Sequence, residues 1–308
     1  MIQRDAKAAL GQDHRSGASE LLAFAAAACR AALAETGPKP GEFARALRQV
    51  CHAQSAMGAV FRLASRALEV ATTAERRGDA EDAATQEIEL AIETFVADFD
   101  EAGEQVVQQA RAVFPASGWV ATISRSSLVE SLLLDVARTG GQVKVLLSEG
   151  RPLLEGRRLA QVLAEAKVPC WLTVDAAAVL LLPRAAALFV GADAVFPKMF
   201  VNKAGSYALL LAARELNVPV YALAQRAKFL PTPGGLYELG ERDPEQVWND
   251  APVGISVRNL TFEEVPLDLL RGVVTENGVL APGETGAAAA DATLAEALRR
   301  PWSKSEEE

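Results

Sequence analysis

The chain is poor in the residues that build metal centres, disulfide frameworks and histidine-based catalysis. It holds two histidines, His14 and His52, in 308 residues. A histidine triad or a multi-histidine metal site has little to draw on. Cys29, Cys51 and Cys170 are odd in number, far apart and without CxxC spacing. That argues against a disulfide framework or a structural zinc and for buried thiols in a reducing compartment. No GxGxxG follows a strand pattern and no GxxxxGK[ST] occurs, which disfavours dinucleotide binding and P-loop chemistry. Neither a metal nor a cofactor is therefore expected. Positive charge is outnumbered, and a net charge of -9 makes direct binding to nucleic acid or an anionic membrane unexpected. Long apolar runs are missing as well. The first ten residues carry Arg4, Asp5 and Lys7, unlike a signal peptide, and the apolar stretch 179–190 is interrupted by Pro183 and Arg184. It is too short to span a bilayer. The expectation is a cytoplasmic protein.

What is present favours a large core: half the residues are hydrophobic and 23% are charged. Residues 19–112 read as helix almost throughout, broken at Thr36-Gly37-Pro38-Lys39-Pro40. The periodicity predicts helices over 19–33, 42–53, 56–77 and 81–112, the last an amphipathic helix with Ile88, Ile92, Phe95, Phe99 and Val106 at helical spacing. The texture changes at Pro115-Ala116-Ser117-Gly118. Strands are predicted over 119–123, 142–147, 169–174, 187–190 and 218–223, with helices over 126–139, 154–166, 176–182 and 204–216. This alternation predicts a parallel sheet with helices on both faces. The fold class is α/β: an all-helical domain over 1–115, then a doubly wound, Rossmann-like parallel sheet over 116–308. The tail from Leu294 is expected to be frayed.

In such a fold ligands gather at the carboxyl ends of the strands. Ser124, Arg125, Ser126 and Ser127 follow the first strand and open a helix. Helix amides and dipole favour an anion there, although Ser126 is also an ordinary N-cap residue type. Asp193 follows the fourth strand, where it serves either as an acid or base or as a turn former. Asn202 and Lys203 precede a helix, Lys228 follows the last predicted strand, and Arg151 follows the second. With Arg125 they put four cationic residues on one predicted rim of an acidic protein. Asp175 lies on the same rim, as a helix cap or as a partner for a lysine.

In order and spacing, Ser126-Ser127, Glu149-Gly-Arg-Pro152, Gly156, Val174-Asp-Ala-Ala177, Val190-Gly-Ala-Asp193, Asn202-Lys-Ala-Gly-Ser206, Lys228-Phe229 and Thr275-Glu-Asn-Gly-Val-Leu280 resemble one superfamily. It contains the regulatory subunits of translation initiation factor 2B and the isomerases of methylthioribose 1-phosphate and ribose 1,5-bisphosphate. The resemblance covers roughly 120–300 and reaches the helical third through Ser16-Gly17-Ala18-Ser19-Glu20. It implies a phosphate site at Gly17, Ala18, Ser126, Ser127, Asn202, Lys203 and Lys228, and a homodimer, or a larger homo-oligomer, built through the α/β domains. It also implies that Asp193 matches the catalytic aspartate of the isomerases, while Ser124 stands where they have cysteine. Gln54 is the nearest match to an arginine they place on a phosphate, and Arg15 is one residue away from another. A hydroxyl is a much weaker acid than a thiol. The expectation is a small phosphorylated ligand with isomerase chemistry lost or altered. Two alternatives stay open: an active aldose–ketose isomerase using Asp193, and a non-catalytic regulatory subunit.

Overall fold

The structure, a computed structural model, describes residues 18–232 and 237–300. The helical third contains α1 (Ala18–Thr36), α2 (Pro40–Ala53), α3 (Gly58–Arg77) and α4 (Glu81–Ala110). Their ends follow local chemistry. Gly37 and Gly78 take φ of 69° and 72°, the left-handed region open to glycine at helix C-termini. Pro40 opens α2, where its missing N–H costs nothing.

The second part begins with β1 (Trp119–Thr122), α5 (Ser127–Arg138), β2 (Lys144–Ser148), α6 (Glu155–Glu165), β3 (Cys170–Thr173) and β4 (Ala185–Gly191). It continues with β5 (Ala194–Val195), β6 (Met199–Lys203), α7 (Ser206–Glu215), β7 (Val220–Leu223), β8 (Phe262–Pro266), β9 (Gly272–Thr275), β10 (Gly278–Leu280), α8 (Pro282–Ala290) and α9 (Glu296–Arg299). The main sheet runs β10-β9-β7-β4-β1-β2-β3. Every pairing in it is parallel except β9 with β10. Successive residues bury opposite faces. Val120, Val145 and Phe189 pack with α4, α5 and α6, while Ala121, Leu146 and Leu188 pack with α7 and α8. Burial on both sides explains why these strands read as unbroken apolar runs.

The structure departs from the sequence expectation in several places, among them β8, β9, β10, α8 and α9, which lie in a stretch where no element is predicted. The stretch predicted as a loop before α7 holds β5 and β6, which form a second, three-stranded antiparallel sheet in which β6 pairs with β5 on one side and β8 on the other. These strands are short and buried on both sides, so no alternation marks them. The helix predicted over 176–182 is a 3-10 segment, Asp175–Leu180, stopped before Pro183. Among the described residues no helix is long and apolar enough to cross a membrane.

Candidate functional site

The strand order reverses between β1 and β4: the chain winds out through β2 and β3, then returns to place β4 on the other side of β1. The carboxyl ends of two strands flanking such a switch point diverge and leave a crevice. A cavity of about 320 Å³ lies there. Its walls come from the loop after β1 (Ser124 to Ser127), the end of β4 (Gly191 to Asp193), Asn202 and Lys203 of β6, and Lys228 after β7. The helical third closes it with Ala18 and Glu20 of α1, and with Gln54 and Met57 before α3.

Each charged side chain is held by a local feature. Lys228 is buried, and its Nζ donates to the Ala192 carbonyl at 2.8 Å. Burial depresses its pKa, and the Asp193 carboxylate partly restores it. Lys203 closes β6, is also buried, and donates to Glu155 Oε1 at 2.7 Å. Asn202 Nδ2 donates to Ser206 Oγ at 2.9 Å, and that hydroxyl donates to the Lys203 carbonyl at 2.6 Å. This chain fixes the β6–α7 corner, which Gly205 turns with φ of 100°. Asp193 receives its position through the backbone: its N–H donates to Val201 and its carbonyl accepts from Gly58 N–H. Desolvation raises its carboxyl to about 6, against the pull of Lys228 and Lys203 and with a push from Glu155.

Ser124 has φ of 61°, a left-handed backbone that serine adopts at some cost, of the kind that gathers at functional sites. Ser126 stands at the N-cap of α5 but makes no side-chain cap bond. Its hydroxyl is therefore not engaged as a helix cap. A Cβ on Gly191 would lie 2.7 Å from Ser126 Oγ, so the glycine is what lets this loop close against β4.

The sequence-predicted residues divide. Ala18, Ser124, Arg125, Ser126, Ser127, Asp193, Asn202, Lys203 and Lys228 line one cavity. Arg125 does so while bound to Glu130 at 2.7 Å. Arg151 and Asp175 lie elsewhere, which corrects their grouping with the rim. The Asp175 carboxylate accepts from the Gly150 and Arg151 N–H groups, and the Arg151 guanidinium donates to the Val247 carbonyl. Together they pin the β2–α6 loop, and neither side chain lines the cavity. Gly17 and Arg15 lie outside the described residues. Sequence reasoning missed Glu155, Met57 and Arg242 on the wall. Glu155 had one signal, an acid opening the helix after β2, and that pattern also fits a helix-dipole partner. Among the described residues no group of three or more His, Cys, Asp or Glu is arranged to hold a metal.

The family model described as "Initiation factor 2 subunit family" matches residues 18–282. A Pyrococcus furiosus protein described as translation initiation factor eIF-2B subunit 2-like is 31% identical over 199 residues, 63% of this chain and 69% of that one. The ribose 1,5-bisphosphate isomerase of Archaeoglobus fulgidus is 30% identical over 196 residues, 62% of this chain and 60% of its own length. The crystal structure of the Pyrococcus horikoshii OT3 translation initiation factor eIF-2B shares the fold with a TM-score of 0.79 at 24% identity, over 91% of this chain and 97% of that one. With a family match that runs from the first described helix to the start of α8, this chain belongs to the initiation factor 2 subunit family.

Proposed function

We propose that this protein binds a small phosphorylated metabolite, a sugar phosphate or a nucleoside monophosphate, in the cavity at the β1–β4 crossover. The observation behind this reading is the pair of buried lysines, Lys203 and Lys228, on one wall of a cavity. A buried ammonium is costly unless something compensates it; Glu155 does so for Lys203 and Asp193 in part for Lys228, and an anionic guest between the two lysines adds to that compensation. The α5 N-terminus, with Ser126 and Ser127 beside it, adds donors and a favourable dipole. The volume suits a pentose phosphate. Isomerase chemistry is lost or altered in this reading, because Ser124 offers a hydroxyl where the isomerases of the superfamily have a thiol. Calorimetric titration with ribose 5-phosphate, ribose 1,5-bisphosphate and AMP tests it. Saturable binding that Lys203→Ala and Lys228→Ala each weaken at least about tenfold is the expected result. No heat from any of the three, with well-folded protein, sinks the reading.

A second reading, an active aldose–ketose isomerase, has one observation in its favour. A carboxyl raised to about 6 takes up and releases protons near neutral pH. Such an enzyme moves a proton between adjacent carbons, and Asp193 is the group able to carry it. Turnover of ribose 1,5-bisphosphate abolished by Asp193→Asn would establish this reading in place of the first. An assembly role, as a homodimer or as a regulatory subunit, is supported by the exposed apolar edge of β3 and the 3-10 segment after it. Leu172 and Leu180 there are 45% and 75% exposed.

A further inference from the structure

Glu155 is an acid in the wall of a cavity read as an anion site. It opens α6, and its Oε1 accepts from Lys203 Nζ at 2.7 Å. The two side chains are 14% and 5% exposed. Its Oε2 is buried and has no hydrogen-bond partner. The charged groups around the cavity come from every element packed on it. Glu20 belongs to α1, Arg125 follows β1, Asp193 follows β4, Lys203 ends β6, Lys228 follows β7, and Arg242 precedes β8. Arg125 is committed to Glu130. Lys203 is thus already neutralised, and a phosphate brought to it comes up against Glu155 and Asp193, with Glu155 largely buried.

We propose that Glu155 is a positioning counter-charge: it holds Lys203 until a phosphorylated guest arrives, and the guest then binds together with a proton taken up by the cavity's carboxylates. This rests on the ligand reading above and specifies how that site works. The proton goes to Asp193, whose carboxyl already stands at about 6 through desolvation. A bound anion pushes it further the same way. Protonated Asp193 then becomes a donor to the guest. The sign follows from linkage: the complex binds more protons than the free protein above about pH 6, so affinity falls as pH rises from there. Below that value the free protein is already protonated and the dependence flattens. Replacing Glu155 by glutamine keeps the size and an acceptor for Lys203, but removes the charge that opposes the guest and helps to raise Asp193.

The test is calorimetry on the full chain between about pH 6 and about pH 8.5, in paired buffers of different ionisation enthalpy. Ribose 5-phosphate is one probe. Inorganic sulfate, which does not titrate in this range, is the other. The expected result is uptake of close to one proton per guest at about pH 7.5 with both probes. Glu155→Gln is expected to bind about tenfold more tightly at the alkaline end, with a flatter pH profile. Binding without proton uptake overturns the proposal and leaves the ligand reading standing. So does a Glu155→Gln variant that binds no more tightly and keeps the wild-type slope. If neither probe binds either protein, and ribose 1,5-bisphosphate and AMP give no heat either, the ligand reading falls and takes this one with it. Should Glu155→Gln fail to fold, the buffer-paired measurement on the wild type decides alone.

Discussion

At the scale of single residues, Asp193 sets the chemistry and also the stability. Its folded carboxyl stands at about 6, above an ordinary aspartate near 3.8. The folded state therefore holds a proton that the unfolded chain releases between those values. Stability from this group is fully present below about pH 4 and is lost as pH rises through about 6, by on the order of 3 kcal/mol. Asparagine imitates the protonated form. Asp193→Asn is expected to raise the melting temperature relative to wild type at pH 8, and the gain should vanish near pH 4. An equal melting temperature at pH 8 would mean that the two lysines fully repay the burial of the charge. Ser124 gives the complementary experiment. If the missing thiol is what limits isomerisation, Ser124→Cys is expected to raise turnover of ribose 1,5-bisphosphate above the wild-type level. A silent Ser124→Cys variant would shift attention to Gln54, which lines the same cavity where the isomerases of the superfamily are expected to have arginine.

Among the elements, α3 connects the helical third to the site. Its first residue, Gly58, donates its N–H to the Asp193 carbonyl at 2.9 Å. A Cβ there would lie 2.4 Å from the Lys228 carbonyl oxygen. Backbone meets backbone at this point, so no side-chain rotation relieves the overlap. Gly58→Ala is expected to cost about 1–3 kcal/mol and to lower the melting temperature by several degrees. Because it parts Lys228 from Asp193, it should also weaken ribose 5-phosphate binding. A stability loss with unchanged affinity would show that the cavity does not depend on how α3 docks.

For the whole molecule, the helical third and the α/β part share a core. Ala194, Phe196, Val201 and Leu230 pack into the helical cluster. The chain also returns to it at the end: Leu294 and Leu298 are buried there, and Arg48 Nη1 donates to the Ala297 and Arg300 carbonyls at 2.6 and 3.0 Å. The tail expected to fray from Leu294 is anchored at least through α9. One cooperative melting transition is expected, seen alike by circular dichroism and tryptophan fluorescence; two separated transitions would argue that the parts fold independently. The other whole-molecule property is assembly. If two copies meet along the β3 edge, Leu180→Lys shifts the mass measured by light scattering from dimer to monomer. A wild-type monomer at micromolar concentration refutes that association.

The amino-acid order alone determined the four helices of the helical third and the βα alternation from β1 to β7, but not β5, β6 or the elements after β7. The glycine and proline breaks ended the helices, and the apolar runs of β1, β2 and β4 announced a sheet buried on both faces. These are local properties, set by side-chain spacing along a short stretch of chain. The rim residues Ser126, Asp193 and Lys228 were legible because a parallel sheet sends every strand's carboxyl end the same way, and Lys203 because it precedes a helix. Distance across the sheet was not legible. Only the tertiary structure decided that β1 and β4 adjoin while β3 lies at the edge, which takes Asp175, and Arg151 whose N–H it accepts from, out of the cavity lining. It also decided that Lys203 belongs to a second sheet whose partner, β8, lies far along the chain, and that Glu155 faces Lys203 rather than water. Each of these depends on pairings between distant segments, and those are selected by the packing of the whole chain rather than by any stretch of it.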